Sequence, residues 1–118
     1  MDRVTVLALR AKAGDRRALE DFVRQTSPDV RRLCRYLGHP ADPDDLTQET
    51  FERALSALHR FRGEGSARGW LLSIARRVCV DSTRRAVRGR RLVERLGAHT
   101  VAARHEDHVW IEIEELLQ

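Results

Sequence analysis

Residues 42–61 read "DPDDLTQETFERALSALHRF" and residues 62–85 continue "RGEGSARGWLLSIARRVCVDSTRR". Asp42 is a good helix cap, and Pro43 suits the first helical position because the amide it lacks would have no partner there. The spacing predicts a helix to about residue 59. At 100° per residue, Phe51, Ala54, Leu55 and Leu58 share one face, and Asp45, Gln48, Glu49, Glu52 and Ser56 share the opposite one. A glycine-rich loop over residues 62–65 follows. Ser66 then caps a further helix whose expected buried stripe is Leu71, Ile74, Ala75, Val78 and Ser82.

The two helices differ in charge. From Asp42 to Glu52 there are five carboxylates and no basic residue. Asp42, Asp44 and Asp45 need no functional explanation, since a carboxylate in the first turn meets the helix dipole at a gain of roughly 0.3 to 1 kcal/mol. Glu49 and Glu52 lie beyond its reach and, with Gln48, extend a single-sign patch in which only Glu49 has an i, i+4 partner, Arg53. That patch is either a solvated face or a docking face for a basic partner. Residues 60–95 hold eleven arginines, among them Arg76, Arg77, Arg84, Arg85 and Arg88, against only Glu64, Asp81 and Glu94. Basic helix ends complement the dipole, but eleven is too many for that, and such density suits a polyanion whose counterions are released on binding. Trp70 reads as a half-buried core ring. Following a flexible loop and lying among arginines, it also has what stacking on an unpaired base requires.

Toward the N-terminus, residues 4–13 read as a short helix. Asp15 then caps a second pattern through Leu19, Phe22, Val23, Val30, Leu33, Cys34 and Leu37. Ser27-Pro28 interrupts it, so a kink or short break is expected, with a new helix capped by Ser27 and ending near Gly38. Toward the C-terminus the pattern weakens after Gly89 and residues 97–106 read as a linker. Residues 107–118, "DHVWIEIEELLQ", regain helical spacing and stop without a cap, as if the chain were cut there. With the carboxylates of Glu106, Asp107, Glu112, Glu114 and Glu115 and its apolar residues, this segment would suit folding back over the arginine face or the bundle surface.

With 118 residues, 34% charged and 5% aromatic, the chain has room for one modest core built on Leu, Val, Ile and Ala. The expected fold is all-α, a bundle of three to four helices. Arginine supplies 21 of the 22 basic residues. Its planar fork suits phosphate and base edges, although a GC-rich coding bias yields the same excess. No apolar run approaches the roughly 18 residues that span a bilayer, and no cleavable leader is present, so a cytoplasmic protein without a membrane partner is expected. Cys34 and Cys79 are too far apart in sequence for a metal-binding pair, and a disulfide would be unusual in a reducing compartment, so they read as buried thiols. The five histidines have no zinc-like spacing, and neither a phosphate-cradling loop nor a nucleophile elbow is present. No enzymatic activity and no cofactor or metal are expected.

"DPDDLTQETFERAL" followed by "FRGEGSARGWLLSIARRVCVDSTRR" resembles region 2 of the extracytoplasmic-function (group IV) sigma factors, promoter-recognition subunits of bacterial RNA polymerase. The likeness covers about residues 5–91. It implies a region 2 domain over residues 1–91, a linker over 92–107 and the truncated first helix of region 4 over 108–118. It implies that Asp45, Gln48 and Glu49, with Glu52 on the same patch, dock on the coiled coil of the polymerase β′ subunit. The loop of Arg62, Gly63, Glu64, Gly65, Ser66 and Arg68 would capture a base flipped from the non-template strand of the promoter minus-ten element. Trp70, Arg76, Arg77, Arg84 and Arg85 would line the melted strand and adjoining duplex. An anti-sigma factor is an expected regulator. Where many relatives read "IARN" this chain reads "IARR", so Arg77 stands where an asparagine often contacts DNA, and base preference does not carry over.

Overall fold

A computed structural model describes residues 1–97. Helix α1 spans Arg3–Lys12, α2 Arg16–Leu37, α3 Pro43–Ala57 and α4 Ala67–Arg95, with a single 3-10 turn, Leu58–Arg60, closing α3. Each start has a local cause. Asp2, Asp15, Asp42 and Ser66 hold extended backbone and accept from the amides of Thr5, Ala18, Asp44 and Gly69 respectively, satisfying donors that a helix start leaves without partners.

The four helices enclose one core. Leu7 and Ala8 of α1 meet Phe22, Val30 and Cys34 of α2, Leu46, Phe51 and Ala54 of α3, and Ala67, Leu71, Ala75, Val78 and Cys79 of α4. The chain uses polar atoms to fasten this apolar contact. The buried Thr5 hydroxyl donates to Asp2 at 2.8 Å and accepts from the Ala67 amide at 3.0 Å, so α1 supplies a partner for the first turn of α4. Lys12 reaches the Phe61 carbonyl at 2.7 Å and ties the other end of α1 to the segment that precedes the glycine loop.

Three details depart from expectation. First, α2 runs unbroken through Pro28 for 22 residues. Interior proline costs about 3 kcal/mol through its lost hydrogen bond and ring clash. Here Pro28 and the residue four before it, Arg24, both face solvent, where the released carbonyl can be hydrated. Meanwhile Ala18, Phe22, Thr26, Val30 and Cys34 form a buried stripe at strict four-residue spacing across the proline. Burial of that stripe outweighs the local cost. Second, the buried face of α3 is rotated toward Leu46 and Thr50, and Leu55 is exposed. Thr50 tolerates burial because its hydroxyl donates to the Leu46 carbonyl at 2.7 Å. Third, α4 buries Cys79, while Ile74 and Ser82 are only partly buried.

Beyond Cys79, α4 has no fully buried residue, and it continues past the expected boundary at residue 91 to Arg95. At 1.5 Å per residue its 29 residues extend about 43 Å, so the second half projects past the core as a charged rod. Among the described residues no helix is long and apolar enough to cross a membrane. The expected linker from residue 98 onward, the expected helix over 108–118 and its folding back lie outside the described residues.

Candidate functional site

Turning α3 so that Leu46, Thr50, Phe51 and Ala54 face the core leaves Asp45, Gln48 and Glu52 exposed. The Gln48 side-chain amide donates to Glu52 at 3.2 Å, one turn away. Glu49 sits differently. Its side chain is 30% exposed, and its carboxylate accepts from Arg53 at 3.0 Å and lies 3.6 Å from Arg85 of α4. The other arm of Arg53 reaches Asp81 of α4 at 2.9 Å. Four residues thus form a chain, Asp81–Arg53–Glu49–Arg85, laced across the α3–α4 seam. The hydrogen bond from Arg53 holds the Asp81 carboxyl below the usual carboxylate range, and the charges of Arg77 and Arg84 add to this. Arg53 in turn binds its proton more tightly, through Asp81 first and Glu49 second.

The basic surface begins along α4. Arg76, Arg77 and Arg84, with Ser73, Ile74 and Val80, line an open groove of ≈ 510 Å³. Arg76, Arg77, Arg84 and Arg88 are exposed and make no ion pair with a carboxylate among the described residues. An apolar floor of Ile74 and Val80 flanked by unpaired guanidiniums can take a flat ring below and phosphates at the rim.

At the N-terminal end of α4 the loop is built for a tight reversal. Gly63 and Gly65 have φ of +80° and +86°, left-handed values that other residues reach only under strain. The loop also presses on α1, since a Cβ at Gly63 would meet Leu9 at 3.3 Å. Arg62, Glu64 and Ser66 are exposed, and the Ser66 hydroxyl is occupied by the Gly69 amide at 2.9 Å. Trp70 is partly buried and packs on Phe61 with ring centroids 5.1 Å apart and planes tilted by 38°. The core thereby fixes the indole beside the loop.

The structure thus gathers Arg62, Gly63, Glu64, Gly65, Ser66 and Trp70 at one end of α4, and Arg76, Arg77, Arg84 and Arg88 along its length. Two expected DNA contacts are already engaged. Arg68 donates to Asp29 of α2 at 2.9 Å, and Arg85 is shared with Glu49. Asp44, assigned to helix stability alone, also pairs with Arg31 of α2 at 3.0 Å. Sequence spacing signalled the Glu49–Arg53 pair but not Asp81 as its third member, because that contact joins residues 28 positions apart on different helices.

Residues 22–89 match the family model described as sigma-70 region 2. The chain is 52% identical over 83 residues to a protein of Mycobacterium bovis named probable RNA polymerase sigma-C factor, covering 70% of this chain and 45% of that one. It is 38% identical over 74 residues to the RNA polymerase sigma factor YlaC of Bacillus subtilis, covering 62% and 43%. It is 40% identical over 81 residues to the ECF RNA polymerase sigma factor BldN of Streptomyces coelicolor, covering 67% and 31%. The chain spans less than half the length of these curated relatives. With the four-helix core and the acidic and basic surfaces in place, these matches decide the family: the chain belongs to the sigma-70 region 2 family, among the extracytoplasmic-function RNA polymerase sigma factors.

Proposed function

We propose that this chain holds core RNA polymerase through α3 and captures the opened minus-ten element of a promoter through α4 and its leading loop. The observation that carries the reading is the opposition of two surfaces on adjacent helices. Asp45, Gln48 and Glu52 stand in solvent on one, and Arg76, Arg77, Arg84 and Arg88 make no carboxylate pair among the described residues on the other. A factor that bridges an enzyme and a nucleic acid needs this arrangement, since each charge sign steers a different partner. The acidic face suits a basic segment of polymerase such as the β′ coiled coil. The loop of Gly63 and Gly65, with Trp70 wedged beside it, suits an unstacked base, and the arginine groove suits the backbone of the single strand. An anti-sigma factor that covered either face would silence the domain.

Flipping a base out of a duplex costs a few kcal/mol, and one pocket with a few phosphate contacts offsets that only when polymerase adds its own contacts. The test is fluorescence anisotropy of a single-stranded minus-ten oligonucleotide titrated with the chain, alone and with core polymerase. Weak capture alone and tight, sequence-selective capture with core is the expected result. Equal binding of any duplex, unaffected by core, would instead identify a stand-alone basic DNA-binding protein.

A further inference from the structure

We propose that Lys12 and Arg60, together with Arg62, form a phosphate-binding cluster that holds the DNA strand on the far side of the captured base from the α4 groove. The inference rests on the reading that the loop takes an unstacked base, and it adds Lys12 and Arg60, which lie outside the basic helix altogether. The cluster is assembled on one residue. Phe61 is buried on extended backbone, and its ring packs on Trp70 at 5.1 Å. Arg60 and Arg62, on either side of it in the chain, are both exposed. The Phe61 carbonyl accepts from Lys12 Nζ at 2.7 Å, which brings the end of α1 to the same point. An ammonium has three N–H groups, so two remain for a ligand. The loop leans on the same helix, since a Cβ at Gly63 would meet Leu9 at 3.3 Å.

No carboxylate neutralises these three cations. Among the described residues none of them makes an ion pair. Helix α1 contains no acidic residue, and Glu64 is the sole one between Glu52 and Asp81. Elsewhere the bundle does pair its arginines: Arg31, Arg53 and Arg68 each meet an aspartate of another helix at 3.0 Å or less. Lys12 also complements the C-terminal end of α1, but that accounts for neither Arg60 nor Arg62. Three like charges gathered at one point repel one another, and an anion from outside relieves the repulsion.

The position of the cluster names the anion. A nucleotide swung out of its stack stays in place only when the backbone on both sides of it is fixed, because phosphate contacts set the register. On one side of Trp70 the arginine groove runs along α4 from Ser73 to Arg84. On the other side α4 has not yet begun, and the end of α1 and the turn after α3 supply the cations. The ligand is therefore the next phosphates of the same strand, and the contact is blind to base sequence.

The test measures, by fluorescence anisotropy, single-stranded minus-ten oligonucleotides binding to the chain held on core polymerase. In one series each base in turn is removed, and the position where removal costs most affinity marks the captured nucleotide. In a second series each phosphate in turn is replaced by a neutral methylphosphonate. Neutralising a phosphate held by the cluster should weaken wild-type binding roughly 1.5- to 5-fold, as losing an exposed ion pair does. That loss should vanish in Arg60→Ala and in Lys12→Gln. The phosphates so identified should lie on one side of the marked base, and those whose loss vanishes in Arg76→Ala on the other. Phosphates coupled to Arg60 on the same side as those coupled to Arg76, or no phosphate coupled to Arg60 or Lys12, would overturn the proposal. So would an Arg60→Ala variant that binds core polymerase less well yet responds to every methylphosphonate as wild type does, since the cluster would then serve a protein. A series with no marked base would remove the base-capture reading and this inference with it, whereas a marked base without coupled phosphates removes this inference alone. Arg60→Ala breaks no ion pair, so it decides even where Lys12→Gln loosens the loop.

Discussion

The carboxylate of Glu49 on α3 and the guanidinium of Arg85 on α4 meet at 3.6 Å. The acidic and basic surfaces are therefore not separate territories but share a border, with Glu49 on it. Its neighbours Gln48 and Glu52 stand clear of the seam and, among the described residues, bond only to each other. Position on the acidic patch thus divides residues that can serve a partner alone from one that also holds the two helices together.

This difference separates two substitutions of the same kind. Glu52→Lys should weaken association with core polymerase in a pull-down and leave the melting temperature unchanged. Glu49→Lys should weaken association too, but it also sets a cation against Arg53 and Arg85 and loses two partly exposed pairs, at roughly 0.2 to 1 kcal/mol each. Its melting temperature should fall while its helical circular dichroism at low temperature persists. Equal melting temperatures for the two variants would show that the seam contributes nothing to stability.

Asp81 gives the seam a pH signature. Its folded-state pKa is lowered from 3.8 by Arg53, so the unfolded chain binds the proton more readily. The stabilisation is fully present above 3.8 and is lost as pH falls through the lower folded value. Asp81→Asn should accordingly reduce the melting temperature by a constant amount from neutrality down to about pH 4, and the gap to wild type should close below it. A gap that stayed constant into stronger acid would mean that Asp81 does not act through its charge.

Much of this arrangement is legible in the chain because capping and periodicity are local. Asp15, Asp42 and Ser66 announce helix starts from their neighbours alone, and all three cap as expected. The loop glycines and the order of acidic helix, loop and basic helix are likewise local. Pro28 misleads for the opposite reason, since its local cost is real but the stripe from Ala18 to Cys34 that outweighs it is a tertiary gain. Leu55 misleads because an apolar pattern counts only apolar residues, whereas the buried face includes Thr50, which satisfies its own hydroxyl. The ion pairs Arg53–Asp81, Arg68–Asp29 and Arg85–Glu49 cross between helices, and no spacing rule reaches them.

Gly38 offers a test of the packing itself. Its backbone is not left-handed, yet a Cβ there would collide with the Leu46 side chain and stand 2.8 Å from the Cys34 carbonyl. The end of α2 and the start of α3 approach closely only because no side chain intervenes. Gly38→Ala should destabilise the fold by about 1 to 3 kcal/mol in urea denaturation, a cost typical of overpacking. A neutral or stabilising result would mean that Leu46 has room to repack.

The arginines of α4 should divide by their partners when binding to a single-stranded minus-ten oligonucleotide is measured, with core polymerase present, over a range of salt. Arg76, Arg77, Arg84 and Arg88 make no ion pair among the described residues, so replacing one with alanine would remove a proposed phosphate contact without breaking an ion pair of the bundle. The Arg76 and Arg88 variants should keep the wild-type melting temperature, and where a residue neutralises one phosphate the slope of log K against log salt should flatten by about 0.7. Arg85→Ala should behave otherwise. It leaves Glu49 with Arg53 as its partner but removes the second of the two cations that neutralise it, so that carboxylate is less fully offset beside the strand as a positive charge is lost. Its loss of strand affinity should exceed that of Arg84→Ala, and the excess should vanish when Glu49→Gln is added. If Arg85→Ala instead matched Arg84→Ala with Glu49 intact, the border between the two surfaces would carry no electrostatic coupling.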